Sequence, residues 1–208
     1  MADVCSIFKI RGRVGNTIFT ERNGKCYARA VASSVKNPNT PKQQAVRNRF
    51  RVAVRFYQRL KETPLNEVWK FAGKKAKLTG FALFMRENLR MFNDQGKIAD
   101  YDGLCLAVGS RYGAYDLSAS MEEQNRVTLR WMGDTESAYL DCDDRLMVVV
   151  LHEDRAFSPE VVEGLHARRE DGTVTFELCR REGVPVHLYC FFVASGNTAF
   201  SDSQHVVI

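Results

Sequence analysis

The chain has 208 residues, 45% of them hydrophobic and 26% charged, with a formal net charge of +5. This is the composition of a globular chain long enough for one large domain or two small ones. No run of about 18 apolar residues occurs, and "MADVCSIFKIRGRVGN" lacks the long apolar core of a secretory signal, so neither a membrane span nor classical export is expected.

The net charge conceals a division. Residues 1–94 hold 20 lysines and arginines against 6 acids, whereas residues 95–208 hold 10 against 19. So lopsided a split predicts two modules with different partners, a basic one over 1–94 and an acidic one over 106–208, joined by a linker at 95–105. The six cysteines, Cys5, Cys26, Cys105, Cys142, Cys179 and Cys190, show neither C-x-x-C nor zinc spacing. They are expected as thiols, several of them buried as small hydrophobes. Cys5 with Cys26 on neighbouring strands is the disulfide to look for if the compartment is oxidising.

Residues 14–31 read as a β-hairpin, in which "NTIFTE" and "KCYARA" flank Asn23-Gly24, the dipeptide that tolerates the positive φ angles of a type I′ turn. Upstream, Arg11 and Arg13 surround the glycines of "GRVG". That spacing is shared with a G-x-x-G backbone clamp, but here it precedes a strand, and a tight turn is expected. It is no phosphate-binding P-loop, because the G-K-[ST] ending is missing. "SSVKNPN" reads as a loop.

A helix starts at Thr40. Pro41 suits its first turn, and Gln43 completes a T-x-x-Q capping box. Val46, Phe50, Ala53, Tyr57 and Leu60 follow the spacing of one buried stripe. Roughly opposite stand Arg47, Arg51, Arg55 and Arg59, four residues apart, and no acid occurs between residues 40 and 60. Like charges at that spacing repel along one helix face. A face of this kind is expected to meet an external anion, or an acidic surface of the protein or a neighbour.

A second helix is expected from Thr63-Pro64 over "LNEVWKFA" with Gly73 as its end. "KKAK" then forms a basic loop, and Thr79 opens a third helix through "GFALFMRENLRMF", with Phe81, Met85, Asn88, Leu89 and Phe92 at helical spacing. Lys74, Lys75 and Lys77, with Arg11 and Arg13, extend the basic face if the modules fold over one another. The aromatics Phe56, Tyr57, Trp69, Phe81 and Phe84 are expected mostly in the core. Phe56, off the main stripe, is the candidate for stacking on a base.

Beyond the turn-rich stretch 94–103 the period changes to two. "RVTLRW", "RLMVVVLHE", "GLHARR", "TVTFELC" and "VHLYCFFVA" read as strands, and "SQHVVI" as a last one. Short strands with turns such as "EDG" and "SGN" predict an antiparallel sandwich of immunoglobulin-like type. The fold class is thus α+β: an N-terminal β-hairpin plus three helices, followed by that sandwich.

No catalytic constellation emerges. "DCDD" (Asp141, Asp143, Asp144) lacks the remaining ligands and the glycine of a calcium loop, so an acidic loop is expected. His152, His166, His187 and His205 show no metal-binding spacing, and no G-x-S-x-G elbow occurs. No enzyme, cofactor or metal is therefore expected.

"GRVGN" before a strand pair, "NPNTPKQQAVRNRF", "LTGFALFMREN" and "HLYCFFVASGNTAFSDSQHV" together resemble an uncharacterised family of bacterial and phage-associated proteins, a domain of unknown function of about this length. "VCSIFKIRG" replaces that family's glycine-rich opening. The resemblance implies a non-secreted protein with a helical N-terminal part and a β-sandwich C-terminal part, cytoplasmic or carried in a virion or mobile element. It assigns no site residues. The expected function is non-enzymatic binding of nucleic-acid phosphates by Arg47, Arg51, Arg55 and Arg59, with Lys74, Lys75, Lys77, Arg11 and Arg13 as secondary contacts. The acidic sandwich would then face a protein partner. The alternative is an assembly protein that self-associates through its complementary basic and acidic surfaces.

Overall fold

The computed structural model describes residues 2–3, 11–22, 24–34, 37–122, 125–132 and 143–208. The chain divides into two compact units, residues 1–40 and 41–208.

The first unit is a four-stranded antiparallel sheet. Strands β1 (Ala2–Asp3), β2 (Gly12–Val14), β3 (Thr17–Arg22) and β4 (Lys25–Ala30) lie in the order β1-β4-β3-β2. The expected hairpin is present. Arg22 pairs with Lys25 across a two-residue turn in which Gly24 has φ 75°. Gly15, φ 58°, turns the chain between β2 and β3, so the tight turn expected over "GRVG" falls at Gly15-Asn16, while Gly12, Arg13 and Val14 form strand β2. No described side chain between residues 11 and 34 is buried.

The second unit begins with helix α1 (Pro41–Leu60), followed by α2 (Leu65–Lys75) and α3 (Gly80–Asn88). Thr79 caps α3, its Oγ1 accepting from Ala82 N, whereas α2 has Pro64 at its N-cap without a side-chain capping bond and Thr63, one residue earlier, accepts from Leu65 N through Oγ1. Helix α2 does not stop at Gly73. It runs through it, because Gly73 and Gly80 let α2 and α3 touch backbone to backbone: a Cβ on Gly73 would lie 2.7 Å from Gly80 N. The buried face of α1 is also shifted. It comprises Val52, Ala53, Phe56, Tyr57 and Leu60, whereas Val46 and Phe50 are 62% and 45% exposed. Phe56 is fully buried, stacked on Phe84, and so is no base-stacking residue. Only the second half of α1 reaches the core.

Strands β5 (Tyr115–Glu122), β6 (Arg126–Met132), β7 (Arg145–His152), β8 (Glu160–Val161), β9 (Thr173–Glu177), β10 (Val186–Val193) and β11 (Gln204–Val207) form two antiparallel sheets, β5-β6-β9 and β11-β10-β7-β8. This is an immunoglobulin-like sandwich in which the fourth strand sits beside the third. "GLHARR" is not a strand: it is irregular and leads into a 3-10 turn at Arg169–Asp171.

Every residue of β10 is buried. Val186, Leu188, Cys190 and Phe192 meet Val127, Leu129 and Trp131 of the facing sheet, while Tyr189, Phe191 and Val193 join Phe56, Trp69 and Phe84 under the helices. The helices therefore form a third layer on the sandwich. The segment expected to be a linker is likewise fixed in that shared core. Ile98, Leu104 and Leu106 are buried, and Asn88 exchanges two hydrogen bonds with the Cys105 backbone. The basic-to-acidic charge boundary thus does not coincide with the division of the fold, which falls between Thr40 and Pro41.

Cys26, Cys105, Cys179 and Cys190 are free thiols, so Cys26 forms no disulfide; Cys5 and Cys142 lie outside the described residues. Burial pushes the Cys190 thiol up to about 12.

Candidate anion-binding face

Along α1, Arg47, Arg51, Arg55 and Arg59 are all exposed, on the side turned from the buried stripe. With a rise of about 1.5 Å per residue they stand roughly 6 Å apart, a cationic row of about 18 Å. Arg59 meets Glu62 at 3.2 Å, a pair exposed on both sides that neutralises little. Arg55 lies over the Phe157 ring, 5.8 Å from its centroid. A guanidinium resting on an aromatic face keeps its charge and its donors for a further partner. Arg49 belongs to the same exposed stretch.

The lysines are placed differently. Lys74 and Lys75 are the last turn of α2, where cations complement the helix dipole, and Lys77 follows at φ 56°. Lys75 Nζ donates to Ser110 Oγ at 2.7 Å. Lys74 stands at the rim of a cleft between α2 and the start of β7.

Arg11 and Arg13 belong to the other compact unit. Arg11 is held by Glu21 at 2.6 Å, and this hydrogen bond and charge raise its pKa further. That charge is already answered, so Arg11 is the weakest of the expected contacts. Arg13 donates Nε–H to Gly15 O at 2.9 Å and remains exposed. The register Arg13↔Ile18↔Arg29 puts Arg13 and Arg29 on one face of the sheet, a pairing not expected from sequence spacing alone.

The acidic and histidine-bearing stretches have structural duties. Asp144 is buried and meets Arg169 at 3.4 Å; the Arg169 guanidinium lies 3.9 Å over the Phe192 ring and donates to the Tyr112 and Gly113 carbonyls. Asp143 pairs with Arg168, and Asp141 lies outside the described residues. No group of three or more His, Cys, Asp or Glu side chains suited to a metal occurs among the described residues.

"SDSQ" is a fastening. Ser201 Oγ accepts from Phe192 N, Asp202 from Gly109 N, Ser203 Oγ from Leu106 N, and Gln204 bonds both N and O of Ala114. Four consecutive polar side chains thereby tie residues 106–114 and β10 together. A family-model match to DUF6266, a family of unknown function, covers residues 9–206. The chain belongs to the DUF6266 family. A search of curated proteins finds no match. Within this DUF6266 chain, no described helix is long and apolar enough to cross a membrane.

One cluster went unseen in the sequence. His187 Nδ1 and His205 Nε2 are 2.9 Å apart, His205 Nδ1 is 3.1 Å from Asp102, and His187 Nε2 is 3.7 Å from Glu153. Tyr101 stacks flat on His187, centroids 3.9 Å apart. Adjacent strands create the pair: Tyr189 is opposite His205, so His187 is its diagonal neighbour. The signal was a histidine at an alternate position in each of two consecutive strands.

Proposed function

We propose that the protein is a non-enzymatic binder of nucleic-acid phosphates, held through the exposed guanidinium row of α1. The observation that carries this reading is the row itself, four exposed arginines on the face of α1 turned from its buried stripe. Contacts of this kind give affinity without base preference and make binding steeply salt-dependent. Replacing Arg51 and Arg55 with glutamine keeps helix propensity and removes two charges. Binding to a DNA or RNA oligomer is expected to weaken roughly tenfold at low salt, and the log–log salt slope to fall by about 2. An unchanged slope in a salt-titrated anisotropy assay rejects the reading.

A second reading is favoured by the first compact unit. Its four-stranded sheet has no buried side chain among the described residues of 11–34, and a small sheet of this kind is marginal in water on its own. A second copy of the chain, joined through complementary basic and acidic surfaces as in an assembly protein of a virion or mobile element, would stabilise it.

A further inference from the structure

The helix layer leaves part of the sandwich uncovered. Between α2 and the start of β7 lies an open cleft of about 670 Å³, within the range of ligand sites. Its apolar lining includes Phe71, Met147 and Phe200. Phe71 is 39% exposed and meets buried Phe200 in a T-shaped contact, ring centroids 5.7 Å apart. Lys74 from the helix and Arg145 from the strand, both exposed, stand at the rim with Asn197. Lys70, also at the rim, is paired with Glu67 at 2.7 Å, whereas no ion pair engages Lys74 or Arg145 among the described residues. The cleft therefore offers one partly exposed aromatic ring, two cations without an ion-pair partner among the described residues and one side-chain amide.

We propose that this cleft is a slot for one unpaired base of a single-stranded nucleic acid, its ring on Phe71 and its phosphate between Lys74 and Arg145. The inference rests on the phosphate-binding reading and narrows its substrate class. Charge complementarity selects an anion, and the partly exposed aromatic ring selects an anion carrying a flat ring. Lys74 and Lys75 continue the cationic surface at the end of α2, so the polymer backbone has somewhere to run. A duplex cannot use the slot, because its bases have no free face to give.

Anisotropy titrations separate the two readings with three probes: an oligothymidylate, an abasic strand of equal length and a blunt duplex. The native protein is expected to prefer oligothymidylate over the abasic strand roughly tenfold. Phe71→Ala should abolish that preference and leave duplex binding unchanged, while Phe71→Tyr, which keeps a ring, should retain it. Equal binding of oligothymidylate and abasic strand by the native protein overturns the slot while leaving the phosphate reading intact. That comparison needs no variant, so poor folding of Phe71→Ala cannot obscure it. Binding of none of the three probes overturns both readings. A roughly tenfold loss of affinity on replacing Arg51 and Arg55, with the preference for oligothymidylate over the abasic strand unchanged in the weakened complex, supports both.

Discussion

His187 and His205 form a proton-bearing chain with a single neutral arrangement. Asp102 accepts from His205 Nδ1–H, so His205 Nε2 is bare and accepts from His187 Nδ1–H. His187 Nε2 is then left bare and buried, 3.7 Å from Glu153. Burial, and next the neighbouring His205, lower the His187 pKa from its ordinary 6.5; burial does the same at His152, with Arg155 adding to it. The unfolded chain thus binds these protons at higher pH than the folded one does. Their neutral forms stabilise the fold above about pH 6.5, and that contribution drains away as pH falls below it toward the lowered folded values. The melting temperature is expected to drop between pH 7 and pH 5. His187→Gln should flatten that dependence, even though it lowers stability at pH 7 by losing a buried contact. A melting temperature with the same pH profile in native protein and variant would exclude His187 as a source.

Among the elements, α2 and α3 carry the tightest steric demand. Built on Gly80, a Cβ would sit 2.8 Å from Trp69 O, and on Gly73 it would strike the Gly80 backbone. Backbone atoms within a packed helix pair cannot step aside as a side-chain tip does. Gly80→Ala is expected to cost about 1–3 kcal/mol by overpacking, despite alanine's better helix propensity, and calorimetric unfolding measures it. A neutral or stabilising outcome would mean that the two helices pack less closely. Here the sequence misleads for a physical reason: a glycine that ends a helix and one that admits a neighbouring backbone look identical in one dimension. The start of α3 was legible, because Thr79 caps it locally, and that of α2 to within a residue, since Pro64 rather than Thr63 takes the cap position. The buried face of α1 was not, since Val46 and Phe50 fit the period but lie before the helix reaches the core. Strands β7 and β10 were recognisable as apolar runs. That both of their faces are covered is also written in that continuity, for a strand with one wet face alternates. Charge composition, which acts on the surface, drew the module boundary at a place the core ignores.

At the scale of the whole molecule, the core and the charge obey different divisions. Residues 41–208 bury three helices and two sheets in two apolar clusters, one on each face of β11-β10-β7-β8. The described residues of 1–40 show no such cluster, and small isolated sheets are marginal in water. Meanwhile residues 1–94 carry a strong positive excess and residues 95–208 a negative one. Head-to-tail contact between copies would join opposite charges, and such heterologous contacts close into rings or extend as filaments. Sizing chromatography of nuclease-treated protein decides between this and nucleic-acid binding alone. Self-association predicts oligomers that survive nuclease and shrink toward the 23.7 kDa chain as salt rises, since the contact is electrostatic. Heavy material that vanishes on nuclease treatment assigns the basic face to a polymer instead. A 23.7 kDa species at low salt after nuclease removes self-association from consideration.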